Sequence, residues 1–227
     1  IQADRLRIND KINNAGTLQL TGSNVIFNSA VADGTAEGIG LTIIDGTITD
    51  QKSLDGKIQI KNSRSSLTID ADLLGSTGTV ENNGKIILTG NGLDDDSASG
   101  TPHTDTLQKQ IIGGNIEILS VSGADVVITS DVDNLKGKIT NTSETLILTG
   151  GTMEEGNILY DELTEEIAGN GITKIGNSTE NPSYITIGTG GLIRNDVQVT
   201  ENSTLKTAGE QLINDAVQND GRIIFTG

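Results

Sequence analysis

One phrase is written four times in this chain: "NNAGTLQLTG" closes at Gly22, "ENNGKIILTG" at Gly90, "NTSETLILTG" at Gly150 and "QNDGRIIFTG" at Gly227. Each copy runs from Asn through a small turn and four strand-forming residues to Thr-Gly. Nothing else in the sequence constrains the fold as much, because a strand of about four residues buries too little to stand alone. Stacked about 4.8 Å from an equivalent strand, it gains a ladder of hydrogen bonds and a shared apolar column. The expected inward residues are Ile86, Leu88, Leu146, Leu148, Ile223 and Phe225. Glycine before the strand and after the threonine is expected to turn corners at positive φ. The asparagines suit left-handed turns and side-chain ladders between neighbouring repeats.

Extended backwards, the echo gives units at 54–90, 113–150 and 190–227, with a partial copy at 4–22. Stretches of unequal length, 23–53, 91–112 and 151–189, separate them. Clusters such as "KIQIK", "NIEIL" and "DVQVT" alternate apolar and polar residues, which is strand patterning rather than disorder. Aromatic residues make up 2% of the chain and Trp is absent, so the apolar interior falls to Ile, Leu and Val. The expected fold is all-β: a right-handed parallel β-helix, a solenoid with loop insertions, forming a single elongated repeat domain over 1–227. A β-sandwich array is the alternative, since it also spaces short strands regularly. In 157–171, Leu159, Leu163 and Ile167 fall at helical spacing before Gly169. That segment is expected to be a short helix over the solenoid or an acidic loop, and 106–114 poses the same choice.

Acidic residues outnumber basic ones 31 to 15, for a net charge of −16. That balance argues against nucleic acid as a partner, which needs clustered Lys and Arg, and against binding to anionic lipid. Cysteine is absent, which removes disulfides, thiolate metal sites and Cys nucleophiles. No apolar run approaches the roughly 20 residues of a membrane span, so no direct membrane insertion by this segment is expected. There is also no charged-then-apolar N-terminal signal. The text starts and stops inside repeat-like sequence and reads as a piece of something longer.

No catalytic, cofactor-binding or metal residue is expected, and no cofactor. The densest acidic run, "GLDDDSASG" with Asp94, Asp95 and Asp96, offers oxygens to Ca²⁺ but not at the alternate spacing of a calcium loop. His103, the single histidine, sits in "SGTPHTDT" without a nucleophile elbow near it. "GTGG" at 188–191 lacks the Lys and the strand-to-helix setting of a phosphate loop. Asn141-Thr142-Ser143, Asn177-Ser178-Thr179 and Asn202-Ser203-Thr204 match the N-glycosylation pattern, as triplets in an Asn- and Thr-rich chain often do.

The phrases at 13–22, 82–90, 141–150 and 219–227 resemble the Gly-, Asn- and Thr-rich repeats of bacterial autotransporter passenger regions and related large surface adhesins. The resemblance implies an exported right-handed β-helix acting in adhesion, autoaggregation or biofilm formation. It places the chain at the bacterial cell surface, attached to the outer membrane, or secreted. Partners would be a host-cell surface protein or glycan, or the same protein on other cells. The expected function is that of a non-catalytic, rigid adhesin scaffold whose stretches 23–53, 91–112 and 151–189 carry specificity. Two alternatives stand beside it. One is a polysaccharide-processing β-helix enzyme of the lyase, hydrolase or tailspike type; the other is a ligand-free spacer or S-layer segment.

Overall fold

The structure is a computed structural model. It describes residues 6–8, 12–13, 16–27, 36–37, 41–50, 57–69, 79–89, 103–120, 125–178, 180–208 and 216–226. The architecture is all-β and built of parallel sheets: an eleven-stranded, a six-stranded and a four-stranded sheet, with two small two-stranded pairs. Among the described strand pairs, only Thr152–Glu154 with Asn157–Leu159 is antiparallel. The described residues therefore do not build an antiparallel sandwich array. No described helix is long and apolar enough to cross a membrane.

The route of the chain is regular. Asp161–Leu163 lies in the four-stranded sheet, Glu166–Gly169 in the eleven-stranded one and Ile172–Ile175 in the six-stranded one. The next turn repeats the order with Tyr184–Ile187, Leu192–Ile193 and Asp196–Val199. Upstream, single strands bend across a corner. In Gln110–Ile118 the register breaks between Ile112 and Asn115, so its first part pairs with Thr79–Asn82 and its second with Lys85–Leu88. Equivalent positions Asp161, Ile185, Leu205 and Ile223 stand 24, 20 and 18 residues apart along the sequence. Units 54–90, 113–150 and 190–227 thus span more than one circuit each.

Alternation decides which side of each strand is covered. Lys57–Ile60 buries Ile58 and Ile60, Asn115–Ile118 buries Ile116 and Ile118, and Asp196–Val199 buries Val197 and Val199. These residues form one cluster with Ile86, Leu88, Leu146 and Leu148. Each such side chain contributes about 1.5–3 kcal/mol on full burial. Ile223 is half-buried against the cluster, but Phe225 is 77% exposed. Phe225 does continue the inward column Leu163–Ile187–Thr207, and no described strand of its sheet lies beyond Arg222–Thr226 to cover it.

The repeated phrase is a local device and not the structural period. Its strands lie in different sheets: Thr17–Phe27 and Lys85–Leu88 in the eleven-stranded sheet, Thr145–Thr149 in the six-stranded and Arg222–Thr226 in the four-stranded. The glycine before the strand is needed for close approach more than for torsion. A Cβ on Gly84 would stand 2.2 Å from the Ser65 carbonyl oxygen, and one on Gly221 2.2 Å from that of Thr200. Of the two Thr-Gly corners among the described residues, Gly22 and Gly150, Gly150 shows the expected positive φ, 143°.

The asparagines also act differently from expectation. Among the described residues, Glu155 and Asn202 are the non-glycine positions with positive φ, so Asn82, Asn83 and Asn141 do not make left-handed turns. Asn82 and Asn141 are instead buried rungs. The Asn82 amide donates to the Asn115 carbonyl one circuit on (3.1 Å) and accepts from the Gly84 N–H (3.0 Å). Asn141 donates to the carbonyls of Glu144 (2.9 Å) and Ile172 (3.2 Å) and accepts from the Glu144 N–H (3.1 Å). Glycines of the following circuit, Gly114 and Gly171, lie against these two amides so closely that a Cβ would not fit.

Two further expectations are corrected. Residues 157–171 form three short strands, not a helix, because Leu163 and Ile167 are buried in two different sheets while Leu159 stays exposed. Residues 106–114 likewise belong to strands His103–Leu107 and Gln110–Ile118. The stretch 151–189 is therefore largely part of the stack, as are 41–50 and 103–112; within 151–189, the hairpin 152–159 is the antiparallel element.

Candidate functional site

Two places gather polar chemistry. The first is a carboxylate cluster. Asp131 closes strand Val126–Asp131, Asp133 lies in the turn Val132–Asn134 that follows, and Asp161 opens Asp161–Leu163, which packs on that turn. One oxygen from each lies within 4.8 Å of the others. Asp131 Oδ1 accepts the Asp133 N–H (2.9 Å), Asp161 Oδ2 accepts the Gly151 N–H (2.6 Å), and Lys136 Nζ pairs with Asp133 Oδ1 (2.9 Å). Ca²⁺ takes 6–8 oxygens. Three carboxylates, with backbone N–H groups and a lysine already on them, supply a repulsive cluster more readily than a cage. Burial raises the Asp131 pKa above 3.8, and the negative charges of Asp161 and Asp133 add to it.

The sign of the resulting pH effect is fixed. A carboxyl with a raised folded-state pKa binds more protons folded than unfolded, so its cost is absent at low pH and appears as pH rises through the folded value. Asp131→Asn keeps an acceptor for the Asp133 N–H and removes the charge. The variant is expected to be about 0.5–1 kcal/mol more stable than the parent at pH 7, the order of a partly exposed charge interaction. The gain should vanish near pH 3.5–4, when urea melts are compared across that range. A gain that is the same at both pH values would sink the assignment. Asp45 works in the opposite sense. Lys61 holds its carboxyl below the usual range, Asn62 and Gln19 add hydrogen bonds, and this contribution is lost as pH falls.

The second place is a pair of clefts. The hairpin 152–159 closes through a two-residue turn with positive φ at both Glu155 (48°) and Gly156 (83°), the backbone of a type I′ turn. Met153 and Ile158 are directly opposite in the hairpin, hence on one face. They help line a cleft of about 350 Å³ together with Glu201, Asp220 and Arg222. Tyr184, Thr204 and Arg222 of its lining are stacked in one column by strand register. Tyr184 meets Tyr160 edge-on, with ring centres 6.5 Å apart, and Lys206 lies over the Tyr160 ring at 5.3 Å. A second cleft of about 460 Å³ is lined by Lys174, Asn177 and Gln198 and shares Glu201 and Asp220 with the first. Gln218 donates to Asp220 Oδ2 at 3.0 Å.

Sequence reasoning did not find either place. Asp161 is far along the chain from Asp131, and Arg222 is far from Met153; only stacking brings them together. The residues singled out from sequence fall elsewhere. Asp94, Asp95 and Asp96 lie outside the described residues. His103 is in strand His103–Leu107, paired with Val126. Of the three glycosylation triplets, Asn141 is fully buried and committed to its rung, whereas Asn177 and Asn202 are exposed. No protein-family model, curated protein or solved structure matches this chain.

Proposed function

We propose that the chain is a right-handed parallel β-helix that serves as a non-catalytic, adhesive scaffold at a bacterial cell surface or in secreted form. The observation that carries the architectural part is the ordered visiting of three stacked parallel sheets around one Ile/Leu/Val interior. A right hand is supported by chirality, since parallel strand–crossover–strand connections are right-handed in about 98% of cases. Such a stack is stiff, because each circuit is locked to its neighbours through ladders and buried rungs. Its acidic exterior keeps it soluble. The adhesive part rests on the resemblance of the repeated phrases to surface adhesins and on the clefts beside the projecting hairpin.

Beads coated with the 227-residue chain are expected to clump or to attach to host cells and glycan surfaces. Loss of attachment with EDTA would point to the acidic clusters as cation sites. Inert beads would overturn the adhesive reading in favour of a spacer. A second reading, a polysaccharide-processing enzyme, is favoured by one observation: Glu201, Asp220, Arg222 and Tyr184 line one cleft. Incubation with polysaccharides tests it, and new reducing or unsaturated ends would replace the non-catalytic assignment.

A further inference from the structure

We infer that the two clefts that meet at Glu201 and Asp220 form one binding groove for a neutral oligosaccharide. This deepens the adhesive reading and rests on it for its biological sense. Four observations fix the ligand class. The first cleft is amphipathic: Met153, half-exposed at 55%, and Ile158 offer apolar surface, and the largely buried Tyr184 also lines it. The rest of the lining is rich in hydrogen-bonding groups, with two carboxylates that accept and a guanidinium that donates. A pyranose ring has this same division, a C–H face and a rim of hydroxyls.

Charge then discriminates among ligands. The pair of carboxylates and the net charge of −16 oppose a sulfated or carboxylated sugar. Within the groove itself Arg222 and Lys174 offset Glu201 and Asp220, so a cationic peptide finds no surplus of local negative charge to hold it. A neutral polyol does not depend on net charge and satisfies both signs of hydrogen-bonding group. Extent gives the length. Each cleft is within the roughly 300–1,000 Å³ of ordinary ligand sites, and the shared Glu201 and Asp220 make them contiguous around a corner. The second cleft adds Lys174, Asn177 and Gln198, whose hydrogen-bonding groups suit rings further along the same chain. The clefts therefore take a short oligosaccharide rather than a single sugar.

The test is an amide-shift NMR titration of the 227-residue chain with cello- and chito-oligosaccharides of one to four rings, against tetralysine and a heparin tetrasaccharide. Shifts are expected for the neutral sugars at residues 153–158, 184, 201–204 and 220–222, and with three or four rings also at 174, 177–178 and 198–200. Affinity should rise about tenfold from one ring to three, as the second cleft is filled. Glu201→Gln and Met153→Ser, both at exposed positions, should each weaken binding by roughly three- to tenfold, the scale of one lost contact. Thermal melts check that these variants are folded. Shifts with tetralysine or heparin alone, shifts elsewhere, no response to any neutral sugar, or affinity untouched by both variants would each overturn the groove. Binding in solution by a chain whose beads stay inert would retain the groove and remove the adhesive reading. Attachment of beads without any oligosaccharide binding would do the reverse.

Discussion

Gly84→Ala is expected to destabilise the protein by about 3–5 kcal/mol, while the same change at Gly16 is expected to stay within about 0.5 kcal/mol. Both glycines hold the same place in the repeated phrase, directly or one residue before its strand. Their surroundings differ. At Gly84 a methyl group would lie 2.2 Å from the Ser65 carbonyl oxygen, 2.6 Å from that of Asn62 and 2.8 Å from an Ile60 methyl. Two of these are backbone atoms of the preceding circuit, and Ser65 O also accepts the Lys85 N–H at 3.1 Å. Relief of the clash would have to break the ladder that joins the circuits. At Gly16 nothing lies within 4 Å of the new methyl. Urea melts of the two variants measure the contrast. Equal costs would show that the glycine serves turn torsion generally and not circuit-to-circuit approach.

The second large effect is expected at Asn141. Its side chain is fully buried and makes three hydrogen bonds, two within its own turn and one to the Ile172 carbonyl of the next circuit. Truncation to alanine leaves these backbone groups without their partner and opens a gap beneath Gly171. A buried polar group left unpaired costs about 1–3 kcal/mol, so Asn141→Ala should cost roughly 3–5 kcal/mol in total. Asn62 provides the comparison. It is half-buried, binds Asp45 at 3.2 Å and the Arg64 N–H at 3.0 Å, and water can replace both contacts. Asn62→Ala should cost under about 1 kcal/mol. Similar losses at the two sites would mean that Asn141 acts as a turn residue and not as a rung.

The strands were legible because their signal is local. "KIQI", "NIEI" and "DVQV" alternate in the sequence and alternate in burial, since the pleat puts neighbours on opposite faces. What the repeated phrase could not disclose was which sheet each copy joins. The strand and its glycine need only a flat neighbour below, and all three sheets present one. The spacing of Leu159, Leu163 and Ile167 misled for a related reason: corners reset the phase of alternation, so a four-residue interval arises across two bends without any helix. The clefts and the Asp131–Asp133–Asp161 cluster were out of reach, because each depends on how many residues a circuit contains. No pairwise pattern in the sequence carries that count. Phe225 was assigned correctly to an inward column and incorrectly to the interior, since register alone does not say whether a strand has a neighbour on both sides.

The unequal length of successive circuits, 24, 20 and 18 residues in the four-stranded sheet, has a mechanical meaning. Ladder bonds run along the stack, and each circuit is held only by the one above and the one below. Pulled from its last strand, such a molecule does not give way as a block. It unwinds like thread from a spool, one loop per rupture, and the slack freed is the circuit length itself. For loops of 18 to 24 residues that is roughly 60–80 Å of chain at a time. Under tension such a stack of strands would lengthen in small unequal steps instead of failing at once.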